Sequence, residues 1–116
     1  APCVRRLSTG PFVISTGRPG LDLWFSDDPR GERWQSIDLL EYHNATMDEP
    51  HQIRKGRGGS HATQAYQTTS YTEFVEVAPG RILLTYDRVP FGWNPVPLDS
   101  EERNRVYVID VEVERE

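Results

Sequence analysis

Hydrophobic and polar residues alternate along several short stretches of the chain, in the period-two pattern of β-strands. In residues 21–26 (LDLWFS), Leu21, Leu23 and Phe25 share one predicted face, and the residues between them share the other. Residues 105–114 (RVYVIDVEVE) have the same alternation. The apolar face predicted there consists of Tyr107, Ile109, Val111 and Val113. Both segments are therefore predicted to be strands with one face against a core.

Further strands are predicted at residues 11–16 (PFVIST), 70–78 (SYTEFVEVA) and 82–87 (ILLTYD). The last two flank Pro79 and Gly80, which favour a hairpin turn because proline presets φ and glycine permits a positive φ. Residues 34–42 form a further candidate strand, although their apolar centre at 37–40 fits a strand or a helical turn equally well. No segment has a convincing amphipathic helical pattern.

Two segments lack periodicity and are predicted to be loops. Residues 43–67 hold three histidines and the sequence KGRGGS at 55–60, and residues 89–103 contain prolines that exclude a central strand. The histidines, His43, His51 and His61, have no compact ligand spacing, so solvated loop side chains are expected rather than a metal site. KGRGGS lacks the full phosphate-loop spacing and a following helix. We therefore expect no metal and no cofactor.

Composition narrows the possible partners of this 116-residue chain. Its formal net charge of -5 argues against a nucleic-acid binder, and no run of apolar residues is long enough to span a membrane. Cys3 is the single cysteine, so no internal disulfide can form. Short strands and many turn residues predict one all-β unit. It comprises two groups of about three antiparallel strands, each the size of a propeller blade.

The turn after the 21–26 strand carries an ordered set of residues: Ser26, Asp28, Gly31 and Trp34. An aspartate can accept backbone N–H bonds within such a turn, glycine can take a positive φ, and the tryptophan ring can pack back onto the sheet. This segment resembles the Asp-box, or BNR repeat, of sialidases, although it has one extra spacer residue and Arg33 replaces the usual Ser or Thr. In that family the Asp-box is structural and not catalytic.

The surrounding residues extend the resemblance to most of the chain. Arg18 stands eight residues before Ser26, a spacing similar to that of a family arginine that binds the sialic acid carboxylate. Tyr71, followed by the hairpin at Pro79 and Gly80, resembles the segment that carries the catalytic tyrosine. A neutral phenol suits a substrate whose own carboxylate would repel an anionic nucleophile, and sialidases are the tyrosine exception among retaining glycosidases. A surface arginine and a tyrosine at a sheet rim are the ordinary structural alternatives.

The order of these features is similar to the last two blades of a six-bladed sialidase propeller. The expected unit, 1–116, has a blade with the Asp-box at about 7–42, the loop at 43–67 and a second blade at 68–114. The resemblance implies hydrolysis of sialic acid or a related acidic sugar in a complete propeller. The alternative is a non-catalytic glycan-binding or oligomeric module, with Trp24 and Trp93 as possible stacking rings. A secreted or periplasmic location would fit the family.

The family's catalytic set is incomplete in this chain. Two more arginines, an aspartate acid/base and a glutamate that activates the tyrosine come from earlier blades, and we expect no residue before Arg18 to replace them. Glu73 lies two residues after Tyr71 on the same predicted face, but it does not match the family glutamate. Two blades cannot close a propeller. A homotrimer, the remainder of a longer chain, or packing as a small open sandwich would resolve this.

Overall fold

The computed structural model describes residues 2–17, 20–48, 51–53, 71–90, 95–101 and 103–114. These residues form seven strands and one helix. The elements are β1 (Cys3–Arg6), β2 (Phe12–Gly17), β3 (Leu21–Ser26), β4 (Gln35–Asp38), α1 (Leu39–Thr46), β5 (Thr72–Ala78), β6 (Arg81–Arg88) and β7 (Arg105–Glu112). The strands confirm the prediction of a mostly antiparallel β-structure.

The strands make two antiparallel meanders. The first sheet has the order β1-β2-β3-β4, and the second has the order β5-β6-β7. The first sheet thus has one strand more than the sequence pattern predicted. The additional strand, β1, was missed because its four residues, CVRR, show no apolar alternation and are mostly exposed.

The two sheets pack face to face around one core. The buried side chains of the first sheet include Val13, Leu21 and Leu23, and those of the second include Phe74, Ile82, Leu84 and Tyr86. The hydroxyls of Ser15 and Thr72 lie 2.9 Å apart within this core, so a polar pair joins β2 to β5. The apolar face predicted for β7 is confirmed, because Tyr107, Ile109, Val111 and Val113 pack against the core.

The carboxylate of Glu76 links the two sheets by hydrogen bonds at one end. Glu76 accepts hydrogen bonds from the Ser8 backbone N–H (2.8 Å), the Ser8 hydroxyl (2.9 Å) and the Gly80 backbone N–H (3.0 Å). Ser8 belongs to the β1–β2 turn, and Gly80 belongs to the predicted β5–β6 turn, where its φ is +76°. The Gly80 and Ser8 N–H groups lower the pKa of Glu76 because they favour the carboxylate.

The helix corrects the sequence prediction in two ways. Residues 39–46 are helical although no amphipathic helix was expected, and the predicted loop therefore does not begin at His43. The predicted strand at 34–42 is reduced to β4, which ends at Asp38. Asp38 caps the helix by accepting from the N–H groups of Leu40 (2.9 Å) and Glu41 (3.2 Å). An eight-residue helix buries only a narrow stripe of side chains, so its periodicity is weak.

Within the described part of the chain, no helix is long and apolar enough to cross a lipid bilayer. KGRGGS at 55–60, His61 and most of the predicted 43–67 loop lie outside the described residues. In the second predicted loop, the described residues 89–90, 95–101 and 103 contain no strand.

Candidate functional site

A groove of about 470 Å³ opens beside Tyr71, along one lateral side of the sandwich. It lies between β1 and the beginning of β5, which are the strands at this side of their sheets. Its lining residues are Pro2, Cys3, Val4, Arg5, Tyr71, Thr72, Glu73 and Thr85. We call this the Tyr71 groove. Its volume falls within the range of small-molecule sites.

Tyr71 is held in place by its backbone, while its side chain stays accessible. Its N–H donates to Asp87 Oδ1 at 3.1 Å, and β5 begins at the next residue, Thr72. The Tyr71 side chain is 63% exposed. An aromatic ring fixed at the rim of a groove can stack on a sugar, and its hydroxyl can donate or accept a hydrogen bond.

Arg5 is the one guanidinium among the described residues that line the Tyr71 groove. Its Nη2 lies 3.9 Å from Glu73 Oε1, and both side chains are more than half exposed. Such an exposed, loose ion pair contributes little to stability, so the guanidinium can turn toward another anion at small cost. We expected no residue before Arg18 to replace the family's missing arginines, and this stays a prediction, although Arg5 lies beside Tyr71. Sequence reasoning missed Arg5 because it missed β1.

Arg18 itself lies outside the described residues, so the structure does not test its predicted role. The strand before it, β2, ends at Gly17. Ser15 on that strand contacts Thr72, the neighbour of Tyr71. The end of β2 therefore lies at the same end of the sandwich as Tyr71.

The residues of the Asp-box-like turn hold one another in place. Asp28 accepts from the N–H groups of Arg30 and Glu32 at 3.1 Å each, and the Asp28 N–H donates to Ser26 Oγ at 3.2 Å. Gly31 has a φ of +65°, and Trp34 Nε1 donates to the Gly31 carbonyl at 2.7 Å.

The pKa of Asp28 is lowered because backbone N–H groups donate to its carboxylate, and the N–H of Arg30 has the largest effect. The turn follows β3 at Ser26, which pairs with Phe12 at the far end of β2 from Gly17. It therefore stabilises the sheet at the opposite end from Tyr71 and contributes no side chain to that groove.

His43 is a buried core residue and not the solvated loop histidine that the sequence predicted. Its side chain is 1% exposed and lies edge-on to the rings of Tyr86 and Tyr107. Nε2 is 2.8 Å from the His51 carbonyl oxygen, and Nδ1 is 2.7 Å from the Tyr86 hydroxyl. Among the described residues, no group of three His, Cys, Asp or Glu side chains could hold a metal ion.

Trp24 and Trp93 were considered as rings that could stack on a sugar, and the structure describes only Trp24. Trp24 lies on the outer face of the first sheet, 38% exposed, and its Nε1 donates to Thr16 Oγ1 at 3.1 Å. It is not among the residues that line the Tyr71 groove. Trp93 lies outside the described residues.

No family model, curated protein or solved structure matches this chain. The resemblance to the Asp-box repeat therefore depends on the residues of the chain alone. The groove at Tyr71 combines an aromatic ring, a guanidinium, a carboxylate and hydroxyl groups. Together these groups can bind a ligand that carries an anion and several hydroxyls.

Proposed function

We propose that the chain is a sialidase-like module that binds an acidic sugar in the Tyr71 groove. The observation that carries this proposal is the presence of Arg5, Tyr71 and Glu73 on one groove. Sequence resemblance suggested a tyrosine and an arginine for such a site, and the position of Arg5 beside Tyr71 supports a cation there. No comparison with known proteins bears on the proposal.

Each group has a defined task in this proposal. The planar Arg5 guanidinium gives two parallel hydrogen bonds to the sugar carboxylate. The Tyr71 ring packs on the sugar, and the Glu73 carboxylate accepts hydrogen bonds from sugar hydroxyls. In the free protein Arg5 Nη2 lies 3.9 Å from Glu73 Oε1, so the guanidinium must turn away from Glu73 to bind the ligand. Glu73 therefore competes with the ligand carboxylate for Arg5.

Hydrolysis is the second candidate, in a complete propeller. Tyr71 would attack the anomeric carbon while its phenol proton passes to Glu73, and the bond to the leaving oxygen would break as that oxygen takes a proton from an acid. Glu73 is the one carboxylate among the described groove residues. An acid for the leaving group is thus missing from this part of the chain, which favours binding over turnover.

The arrangement of the sheets supports the propeller part of the proposal. Each sheet is an antiparallel meander, as a propeller blade is, and both sheets contribute side chains to one core. The outer face of the second sheet also exposes apolar side chains, among them Val75, Val106 and Val108. An outer face that carries apolar residues beside polar ones such as Thr85 and Asp110 can pack in part against a further layer.

Calorimetric titration with sialic acid, its methyl ester and galactose tests the binding. We expect measurable binding of the free acid alone, and loss of that binding in Arg5→Ala. Arg6→Ala is the matched control, because Arg6 is the next residue along β1 but lies over Phe12 and away from the groove. Equal affinity for the acid and its methyl ester would contradict the proposal.

Two further variants separate binding from turnover. Glu73→Gln should strengthen binding of the acid, because Arg5 loses its competing carboxylate. The same variant should abolish any hydrolysis of a fluorogenic sialoside, as should Tyr71→Phe. Binding without turnover in the unaltered chain would support the glycan-binding form of the proposal. Turnover that survives Tyr71→Phe would exclude the tyrosine mechanism.

A further inference from the structure

A row of uncharged side chains crosses the outer face of the first sheet. Directly opposed residues on neighbouring strands share a face, and the direct partners across β1 to β4 are Val4, Ile14, Trp24 and Ser36. Val13 and Leu23, which adjoin this row along β2 and β3, are fully buried in the core, so the row faces away from the core. We call these four residues the Trp24 row. The proposed function leaves the row without a role.

The indole of Trp24 is anchored and remains accessible. Its Nε1 donates to Thr16 Oγ1 at 3.1 Å, so a residue of the neighbouring strand satisfies its polar atom. The residue is nevertheless 38% exposed. The face of an aromatic ring is partly negative and attracts C–H groups, whose hydrogens are partly positive. An accessible indole can therefore pack on the apolar face of a sugar ring.

Hydroxyl groups lie on both sides of this indole. Ser36 is directly opposite Trp24 on β4 and is exposed. The Thr16 hydroxyl on β2 accepts from the indole and keeps its own proton for donation. The Trp24 row contains no ionisable side chain, so it offers no ion pair to a charged group. This combination suits a neutral sugar, which presents C–H groups on one face and hydroxyls at its edge.

The Trp24 row ends at the Tyr71 groove. Val4 is 57% exposed and belongs both to the row and to the groove lining. Residues 2–5 line the groove consecutively, so the groove follows the edge of β1 that has no partner strand in the described part of the chain. Trp24 lies two strands further on, roughly 10 Å from Val4 by the usual strand spacing. A ligand that occupies both places must therefore be longer than a single sugar.

We propose that the Trp24 row is a subsite for the neutral sugars of an oligosaccharide whose terminal acidic sugar occupies the Tyr71 groove. This inference rests on the proposed function and names its ligand as an oligosaccharide. The acidic sugar binds Arg5, and the neutral sugars that follow it cross Val4 and pack on the indole of Trp24. One packing contact is too weak to hold a free neutral sugar, so the row acts on a ligand that is already anchored in the groove.

Calorimetric titration with sialic acid, and with a trisaccharide in which sialic acid caps lactose, tests this inference. We expect the trisaccharide to bind about three- to tenfold more tightly than sialic acid, which is the gain from one aromatic packing contact. Equal affinities would overturn the inference and leave the proposed function intact. Failure of both ligands to bind would overturn the proposed function and this inference with it.

Substitutions at Trp24 separate ring packing from general apolar contact. Trp24→Phe keeps an aromatic face and should retain part of the trisaccharide's advantage, whereas Trp24→Leu keeps an apolar side chain without a ring and should lose that advantage. Both variants should bind sialic acid as the unaltered chain does, which also shows that they are folded.

Tyr42→Ala is the matched control for these variants. It removes an aromatic residue that is 56% exposed on α1, outside both the Trp24 row and the Tyr71 groove. We expect the trisaccharide's advantage to be unchanged in this variant. An advantage that survives in full in Trp24→Leu would overturn the assignment of the subsite to the Trp24 row.

Discussion

The Tyr86 hydroxyl lies 2.7 Å from His43 Nδ1 and joins the second sheet to the helix. The carbonyl of His51 can only accept, so His43 Nε2 carries the proton and donates to it at 2.8 Å. In the neutral ring Nδ1 then accepts from Tyr86. Burial raises the pKa of Tyr86 to about 12, which keeps its proton available for this bond. Both ring nitrogens of a fully buried histidine are thus satisfied.

Tyr86 and Tyr107 give a matched pair of substitutions. Their rings stack 5.5 Å apart, but the Tyr107 hydroxyl is buried without a hydrogen-bond partner in the described structure. Tyr86→Phe should lower the free energy of unfolding by about 1–3 kcal/mol, because it leaves Nδ1 of His43 unsatisfied. Tyr107→Phe should be neutral or stabilising. Urea unfolding of the two variants measures this, and equal losses would contradict the assignment.

Protonation of His43 should destabilise the fold. Its pKa is lowered, first by burial and further by the nearby Arg88 charge, although the His51 carbonyl opposes the shift. Between the folded pKa and the unfolded value of about 6.5, the unfolded chain binds more protons. The free energy of unfolding is therefore fully retained above about pH 6.5 and falls as the pH drops below it.

Thermal unfolding between about pH 5.5 and 7.5 measures this dependence, in a window above the range where Asp and Glu usually titrate. His51→Gln is the matched control, because it removes a histidine but keeps the backbone carbonyl that His43 needs. We expect its Tm to keep the fall below about pH 6.5 that the unaltered chain shows. His43→Gln should flatten the profile, and a profile unchanged in that variant would exclude His43 as its source.

Two turn glycines should differ in their tolerance of alanine. Gly31 and Gly80 both have positive φ, which costs an L-residue about 1 kcal/mol. A Cβ at Gly31 would meet Trp34 at an ordinary 3.9 Å, whereas at Gly80 it would come within 3.0 Å of the Val113 carbonyl oxygen. Gly80→Ala should therefore cost about 1–2 kcal/mol more than Gly31→Ala, since close packing adds to the backbone term. Denaturant titration compares them, and equal costs would contradict this account.

The strands that the sequence predicted best are those whose two faces differ clearly. In β7, Tyr107 and Ile109 alternate with more exposed residues, so the period of two was visible. The β5–β6 hairpin was predictable because Pro79 and Gly80 mark the turn by their backbone preferences. These local rules apply without knowledge of the rest of the chain.

The features that the sequence did not reveal depend on contacts between distant residues. Arg5 joins the Tyr71 groove only because β1 pairs with β2 and so lies beside β5. His43 becomes a core residue because Tyr86, forty-three positions later, reaches it. The helix did have a local signal, Asp38 followed by Glu41, which is typical of a helix N-terminus.

The proposed propeller makes a prediction about assembly. If the outer face of the second sheet packs on another layer, the purified chain should form a ring of three copies, with a mass near three times 13.3 kDa by light scattering. Val108 is 59% exposed on that outer face, so Val108→Lys should give the monomer mass by placing a cation in the buried layer. Leu98→Lys is the control, because Leu98 is 98% exposed on a loop, and the ring should survive it. A monomer in the unaltered chain would exclude the three-fold ring and leave a longer chain or a small open sandwich as the alternatives.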